Sequence, residues 1–129
     1  MKAVIITIGS EIVSGRIVDT NSAWLSAELG KLGLDVVRHL SLPDDYPVLV
    51  SEIQNAIENG RLVIVTGGIG PTDDDLTRQA VSEALVQPLV MDEDDLARLN
   101  TFYQNRDWEF PDGSERQCSR PEGSTLVRN

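Results

Sequence analysis

The fold is decided by a stretch in the middle of the chain, LVIVTGGIGPTDDD, which runs from Leu62 to Asp75. Its first part, Leu62–Val65, is a continuous apolar run, typical of a strand buried on both faces of a parallel sheet. Glycines and Pro71 then end the strand, and we predict that a helix resumes by about Asp75. The stretch therefore predicts a strand–loop–helix unit, from which α/β folds are built.

The segments on either side repeat this alternation of strand and helix. A β-branched run at Val4–Ile8 predicts the first strand, and Leu34–Leu42 predicts another. Apolar residues at helical spacing lie between the strands: Leu25, Leu29 and Leu32 in one helix, and Leu49, Ile53, Ala56 and Ile57 in the next, which we expect to end at Asn59-Gly60. From Trp108 onward the periodicity disappears. We predict one α/β domain, residues 1–129, with a largely parallel sheet and helices on both faces.

Charge and composition exclude several classes of protein. The 129 residues include 21 acidic and 11 basic side chains, a net charge of −10, so nucleic acid and anionic membranes are poor partners. No apolar run approaches the ~20 residues of a membrane span, and Cys118 is the single cysteine, which excludes an intrachain disulfide. We expect a cytoplasmic protein in which Trp24 and Trp108 are packing residues.

The loops that follow the predicted strands are the candidate site. In open parallel sheets, ligands bind at the carboxyl ends of the strands. The loops at Gly9–Gly15 and Thr66–Asp75 follow two strands at that edge. The loop at Pro43–Asp45 joins them if the strand before it is also parallel.

The glycines of the central stretch predict a phosphate site, because they let backbone N–H groups approach a ligand closely. The three acids that follow, Asp73, Asp74 and Asp75, would repel a phosphate. Capping explains any one of them about as well, with Thr72 as the N-cap and Asp75 three positions later. A divalent metal bound by carboxylates and bridging to phosphate reconciles all three with the loop.

For the other candidate site residues, a structural role explains the sequence about as well as a functional one. Asp44 or Asp45 could complete a metal site, although capping of the helix near Pro47 is slightly favoured for each. Glu11 could orient a ligand hydroxyl or be a solvated acid of its loop. Asn21 is first of all a helix-cap candidate.

Two long motifs resemble one family. The segment Gly9–Asn21, GSEIVSGRIVDTN, is similar to its opening G-[ST]-E-L-L-x-G-x-I-x-[ND]-T-N, and Thr66–Thr77 is similar to its G-G-[LI]-G-P-T-x-D-D-x-T loop. Together they resemble the CinA N-terminal domain, a branch of the MoaB/Mog molybdopterin-binding fold. The similarity includes Arg116-Gln117, where the family tends to have lysine first, and Pro121–Gly123. The family continues beyond Asn129 with further elements.

The resemblance implies a three-layer α/β/α fold, a homo-oligomer (trimer or dimer) and a small phosphorylated nucleotide or pterin ligand. It implies Asp44 and Asp75 as catalytic residues. We expect these two, with Asp74, to bind a divalent metal such as Mg²⁺, Mn²⁺ or Co²⁺. The expected ligand-binding positions are Gly9, Ser10, Glu11, Asn21, Thr66, Gly67, Gly68, Gly70, Pro71 and Thr72.

Three functions remain open on this basis. The first is metal-dependent hydrolysis of ADP-ribose or a related dinucleotide pyrophosphate. The second is molybdopterin binding or adenylylation with the same aspartates. The third is a non-catalytic module that drives oligomerisation or regulates a deamidase domain or protein.

Overall fold

A computed structural model describes residues 1–59 and 62–127 of the chain. Gly60, where we predicted the end of a helix, and Arg128 and Asn129, the last residues of the family resemblance, lie outside the described residues. Over the rest, the alternation of strands and helices predicted from the sequence is confirmed, and the bounds are as follows. The elements are β1 (Lys2–Ile8), α1 (Ser10–Val13), α2 (Thr20–Lys31), β2 (Asp35–Leu42), α3 (Tyr46–Asn59), β3 (Leu62–Thr66), α4 (Thr77–Ala84), β4 (Leu89–Met91), α5 (Glu93–Gln104), a 3-10 helix (Ser114–Cys118) and β5 (Ser119–Pro121).

The central sheet is parallel and has the strand order β2-β1-β3. β1 lies in the middle because its residues from Ala3 to Ile8 are all apolar or small and are all buried. A strand buried on both faces needs elements packed against both faces. The sequence of such a strand does not alternate between polar and apolar residues.

The helices form a layer on each side of this sheet, which confirms the three-layer α/β/α architecture. On one face, Val4, Ile6 and Ile8 pack with the apolar side of α3 and with Ala80 of α4. On the other face, Ala3, Ile5 and Leu29 of α2 form a smaller cluster. Alternate residues of β1 thus point into two separate cores, as the two-residue period of a strand requires.

A bulge in β2 adjusts which side chains enter these cores. Ala3 pairs with Val36, but the next residue, Val4, pairs with Arg38, so that Val37 has no opposite partner. The extra residue reverses the alternation of the strand. Val36 therefore packs on the α2 face, whereas Leu40 and Leu42 pack on the α3 face.

Several expectations from the sequence are wrong in detail. The segment after Trp108 is not irregular throughout, because it contains the 3-10 helix and β5, which pairs antiparallel with β4. The loop Gly9–Gly15 contains the short helix α1. Trp24 is not a packing residue, since its side chain is 63% exposed on α2. Trp108 is also largely exposed, although its ring makes edge contacts with Phe102 and Tyr103.

Among the helices of the described residues, none is both long enough and apolar enough to cross a bilayer.

Candidate functional site

The three loops predicted to form the site do follow the carboxyl ends of three adjacent parallel strands. Gly9 and Ser10 follow β1, Asp44 follows β2, and the segment Gly67–Asp75, here called the glycine loop, follows β3. Because β1 lies between β2 and β3, Asp44 and the glycine loop lie on opposite sides of the carboxyl end of β1. Strands two apart in a sheet are separated by roughly 10 Å.

Asp44 is held against the start of α1. Its Oδ2 accepts hydrogen bonds from the Ser10 N–H and from the Ser10 hydroxyl, each at 2.9 Å. The Asp44 N–H in turn donates to Ser10 Oγ over 3.2 Å. The loops after β1 and β2 are therefore joined through one carboxylate and one hydroxyl.

Its neighbour Asp45 has a different role. The Asp45 carboxylate accepts from the Val48 N–H at 3.3 Å, and its carbonyl accepts from the Leu49 N–H at the start of α3. Asp45 is thus the helix-capping residue that the sequence offered as an alternative for both aspartates. The Asp44 carboxylate bonds Ser10 instead and takes no part in that cap.

Two glycines of the glycine loop approach β1 and α4 closely. At Gly67, whose φ is +92°, a Cβ would lie 2.0 Å from the Ile8 carbonyl oxygen. At Gly68, with φ +59°, a Cβ would lie 2.6 Å from the Thr77 hydroxyl oxygen. Only glycine fits both the backbone conformation and the available space at Gly67.

Thr77 ties the glycine loop to the start of α4. Its buried hydroxyl donates to the Gly67 carbonyl at 2.6 Å, and its N–H donates to the Gly68 carbonyl at 3.1 Å. The loop itself therefore uses the Thr77 N–H at the start of the helix, and this group is not available to a phosphate.

Asp75 also folds back on the glycine loop. Its Oδ2 accepts from the Thr72 N–H at 2.9 Å and from the Thr72 hydroxyl at 2.5 Å, while its own N–H donates to the Thr72 carbonyl. The predicted cap, with Thr72 as N-cap and the helix running by Asp75, is wrong, because α4 begins at Thr77 after Leu76. The two residues close a turn ahead of the helix.

The same threonine brings two carboxylates together. Oxygens of Asp74 and Asp75 each lie 2.5 Å from Thr72 Oγ1 and are therefore within 5.0 Å of each other. Across the described ranges, no three His, Cys, Asp or Glu side chains are grouped so as to hold a metal ion. The site offers a pair of carboxylates on the glycine loop, with Asp44 on the far side of β1.

Hydrogen bonding keeps Asp75 ionised. Partial burial acts to raise the pKa of Asp75, but hydrogen bonds from Thr72 and from the Gly70 backbone, together with the charge of Arg78, lower that pKa below its ordinary value. A carboxylate with a lowered pKa suits metal ligation or charge stabilisation better than proton abstraction near neutral pH.

Two arginines contact this loop, and neither was predicted from the sequence to lie there. Arg78 of α4 is partly buried and donates to the carbonyls of Ile69 and Gly70. Arg116 of the 3-10 helix pairs with Asp73. The available signal was the run of three aspartates, because so much negative charge in one loop requires nearby cations.

Two concave surfaces border the glycine loop. One, of about 550 Å³, is lined by Ile69, Gly70, Arg78, Asp95, Arg98, Leu99, Phe102, Gln117 and Cys118. The other, of about 530 Å³, is lined by Pro71, Thr72, Asp73, Pro111, Asp112, Gly113 and Arg116. Neither includes Ser10 or Asp44 in its lining. The region after Trp108, which the sequence left without structure, thus forms a wall of each.

The remaining candidate positions lie around the same edge. The Glu11 carboxylate folds over Gly9, where a Cβ would lie 2.6 Å from it. Asn21 is exposed in the first turn of α2, whose N-cap is Asp19, and Thr66 is the last residue of β3. These placements are compatible with a ligand at the strand ends.

Comparison with known proteins gives a consistent picture. Residues 4–125 match the family model described as "Probable molybdopterin binding domain". The chain is 39% identical to CinA-like proteins of Salinibacter ruber and of a Sulfurihydrogenibium species, over all of this chain but only 31% and 32% of theirs.

Solved structures agree with this assignment. The CinA protein of Thermoplasma acidophilum, described as having unknown function, is 30% identical, with a TM-score of 0.86 over 99% of this chain and 75% of that one. The molybdopterin biosynthesis enzyme MoaB of Thermus thermophilus shares the fold at 21% identity, with a TM-score of 0.63 over 92% of this chain and 70% of that one. The chain therefore belongs to the molybdopterin-binding domain family, in its CinA branch.

Proposed function

We propose that this domain binds a phosphorylated nucleotide at the carboxyl edge of its sheet and catalyses metal-dependent hydrolysis of ADP-ribose or a related dinucleotide pyrophosphate. The observation that carries the proposal is the paired carboxylates of Asp74 and Asp75 on a loop whose glycines hold its backbone tightly against β1. A loop suited to an anion but bordered by two carboxylates requires a cation between them and the anion.

The backbone of the glycine loop supports phosphate binding at one part of the loop. The Gly70 N–H is engaged by Asp75. Within residues 1–59 and 62–127, the N–H groups of Gly68 and Ile69 donate to no other group. These two N–H groups are the donors that would hold a phosphate oxygen.

The carboxylates fit a divalent metal that arrives with its substrate. Mg²⁺ commonly binds through one or two carboxylates together with substrate phosphates and water, so a cage of three protein carboxylates is not required. Asp74 and Asp75 would hold the ion, and Asp44 would contact it or its waters from the far side of β1. When bound, a metal of this kind polarises phosphorus and lowers the pKa of a water ligand.

The roles of the protein groups are then positioning and charge stabilisation. Asp75 remains ionised because Thr72 and Gly70 donate to it. Ser10 orients Asp44 through two hydrogen bonds to one carboxylate oxygen. No covalent intermediate is required.

The test is hydrolysis of ADP-ribose followed by the appearance of AMP, with Mg²⁺, Mn²⁺ or Co²⁺ and with EDTA. We expect metal-dependent turnover that Asp75→Asn lowers by at least about 100-fold, as for the loss of one group that stabilises transition-state charge. Asp44→Asn should also lower turnover.

Asp45→Asn is the matched control, because it removes a neighbouring carboxylate that caps α3. Its activity should stay close to that of the original chain. Absence of turnover with every metal, in protein that circular dichroism shows to be folded, would contradict the proposal.

Molybdopterin binding or adenylylation is the second candidate, favoured by the family match over residues 4–125. It uses the same edge of the sheet and the same aspartates. Binding of a pterin without hydrolysis of ADP-ribose, or an ATP-dependent adenylylated product, would favour it over the pyrophosphatase.

A non-catalytic role is the third candidate. The chain spans about 31% of the length of its CinA-like relative from Salinibacter ruber, so the domain can serve a larger protein. A homo-oligomer (trimer or dimer) that binds neither nucleotide nor pterin, measured by light scattering and calorimetry, would support oligomerisation or regulation of a deamidase domain or protein as its function.

A further inference from the structure

The groove between the glycine loop and the segment Pro111–Arg116 holds one ion pair. Arg116 and Asp73 lie 43 residues apart in sequence and meet across the groove. Gly113, at φ +83°, precedes the 3-10 helix that presents Arg116, and a Cβ there would lie 3.5 Å from the Pro71 carbonyl oxygen. The groove has a volume of about 530 Å³, large enough for part of a nucleotide.

This ion pair contributes little to holding the fold together. The Asp73 side chain is 93% exposed and that of Arg116 is 50% exposed. Water and salt screen such pairs, and ordering two flexible side chains offsets most of the attraction. Arg116 can therefore exchange Asp73 for another anion at small cost.

Arg78, the other arginine at the loop, differs from Arg116 in its burial and in its hydrogen-bond partners. Arg78 donates to the carbonyls of Ile69 and Gly70 from inside the domain, and its partial burial lowers its pKa. Arg78 thus stabilises the backbone of the loop, and N–H groups of its side chain are already used in these hydrogen bonds. Among the described residues, the Arg116 side chain bonds only the exposed carboxylate of Asp73, at the mouth of the groove.

A guanidinium at this position suits a second phosphate. Its planar array of N–H groups matches two phosphate oxygens at once, which a lysine ammonium cannot do with the same geometry. Arg116 contacts the glycine loop at Asp73, a few residues along the chain from the Gly68 and Ile69 N–H groups that would hold the first phosphate. The protein as a whole carries a net charge of −10, so a cation at this position has a large effect on an anionic ligand.

We propose that Arg116 selects ligands with a pyrophosphate over those with a single phosphate, by leaving Asp73 and binding the second phosphate. The inference rests on the proposed function, since it assumes a phosphate on the glycine loop. Asp73 acts as the competitor that holds Arg116 in the absence of ligand.

The experiment is calorimetric titration of the whole chain with ADP and with AMP, each in the presence of Mg²⁺. We expect the original chain to prefer ADP. Arg116→Ala should weaken ADP binding about 10-fold or more while changing AMP binding less than about 2-fold. Asp73→Asn should strengthen ADP binding, because it removes the competing carboxylate. Lys31→Ala, which removes one positive charge from an exposed pair with Glu28, is the control for net charge and should change neither.

Each other outcome has a defined meaning. Equal weakening of ADP and AMP in Arg116→Ala, or no change in either, would overturn the inference. If the original chain hydrolyses ADP-ribose with a KM that Arg116→Ala leaves unchanged, the proposed function stands and the inference fails. If ADP selectivity depends on Arg116 but ADP-ribose is not hydrolysed, the inference stands and the hydrolysis fails. Binding of neither nucleotide would overturn both.

Discussion

The glycine loop and the Ser10–Asp44 contact lie at the same edge of the sheet, but they are held in place in different ways. The glycine loop is bonded mostly to itself and to the helix that follows it, through Thr72, Asp75 and Thr77. Ser10 and Asp44 belong to loops that are 34 residues apart and meet only because β1 and β2 are adjacent. A loop bonded locally can keep its shape as a motif, whereas the second contact depends on the whole sheet.

Gly67→Ala should have the largest effect on this comparison. A Cβ at Gly67 would lie 2.0 Å from the Ile8 carbonyl oxygen, and the backbone has φ +92°. Strain and collision with the central strand together should reduce the free energy of unfolding by about 3 kcal/mol or more, measured by urea denaturation. Gly33→Ala is the control, because φ is +75° there and no atom lies within 4 Å of the added carbon. Similar losses in both variants would show that only backbone conformation matters at Gly67.

Thr77→Val should have the next largest effect. The change keeps the shape of a buried side chain but removes the hydroxyl that donates to the Gly67 carbonyl at 2.6 Å. Leaving that acceptor without its partner should cost about 1–2 kcal/mol in a urea titration. Thr77→Ser retains the hydroxyl and should lose less stability. A valine variant as stable as the original chain would mean that the link between loop and helix is unimportant.

The contribution of Asp75 to the stability of the glycine loop should depend on pH. Its pKa is lowered in the folded protein, so its contribution is present above the ordinary carboxylate pKa of about 4 and is lost as pH falls through the lower, folded value. Asp75→Asn should therefore reduce stability more at pH 7 than at pH 3, as measured by urea unfolding at both values. An equal loss at the two pH values would indicate that the asparagine disturbs packing and not the ionised hydrogen bonds.

Ser10→Ala should have the smallest effect on stability. Its hydroxyl bonds Asp44 at an exposed position, and the Ser10 N–H remains available to the same carboxylate. We expect a loss of about 0.5–1 kcal/mol in thermal or urea unfolding. If the loss exceeded that of Thr77→Val, the contact between the two distant loops would be the stronger support of this edge.

Local patterns of the sequence predicted the elements but not their partners. The apolar run before Thr66 predicted β3, and helical spacing predicted α2 and α3, because such periodicities depend only on neighbours along the chain. The start of α4 was predicted about two residues early, since the bonds of Thr72 with Asp75 close a turn before the helix begins. The pairing of β4 with β5 was not predicted, because two three-residue strands carry almost no periodic signal.

For the candidate site, the sequence by itself identified the glycine loop, its carboxylates and the edge at which they lie. The residue pattern left Asp44 and Asp45 open, because both precede a helix and either can cap it, and the family resemblance implied Asp44. The tertiary structure shows which of them caps the helix, since Asp45 caps α3 and Asp44 bonds Ser10 instead. Likewise, only tertiary structure brought Arg116 to Asp73. Hydrogen bonds within a few residues are encoded by local order, but contacts between distant loops exist only after the strands have been arranged in space.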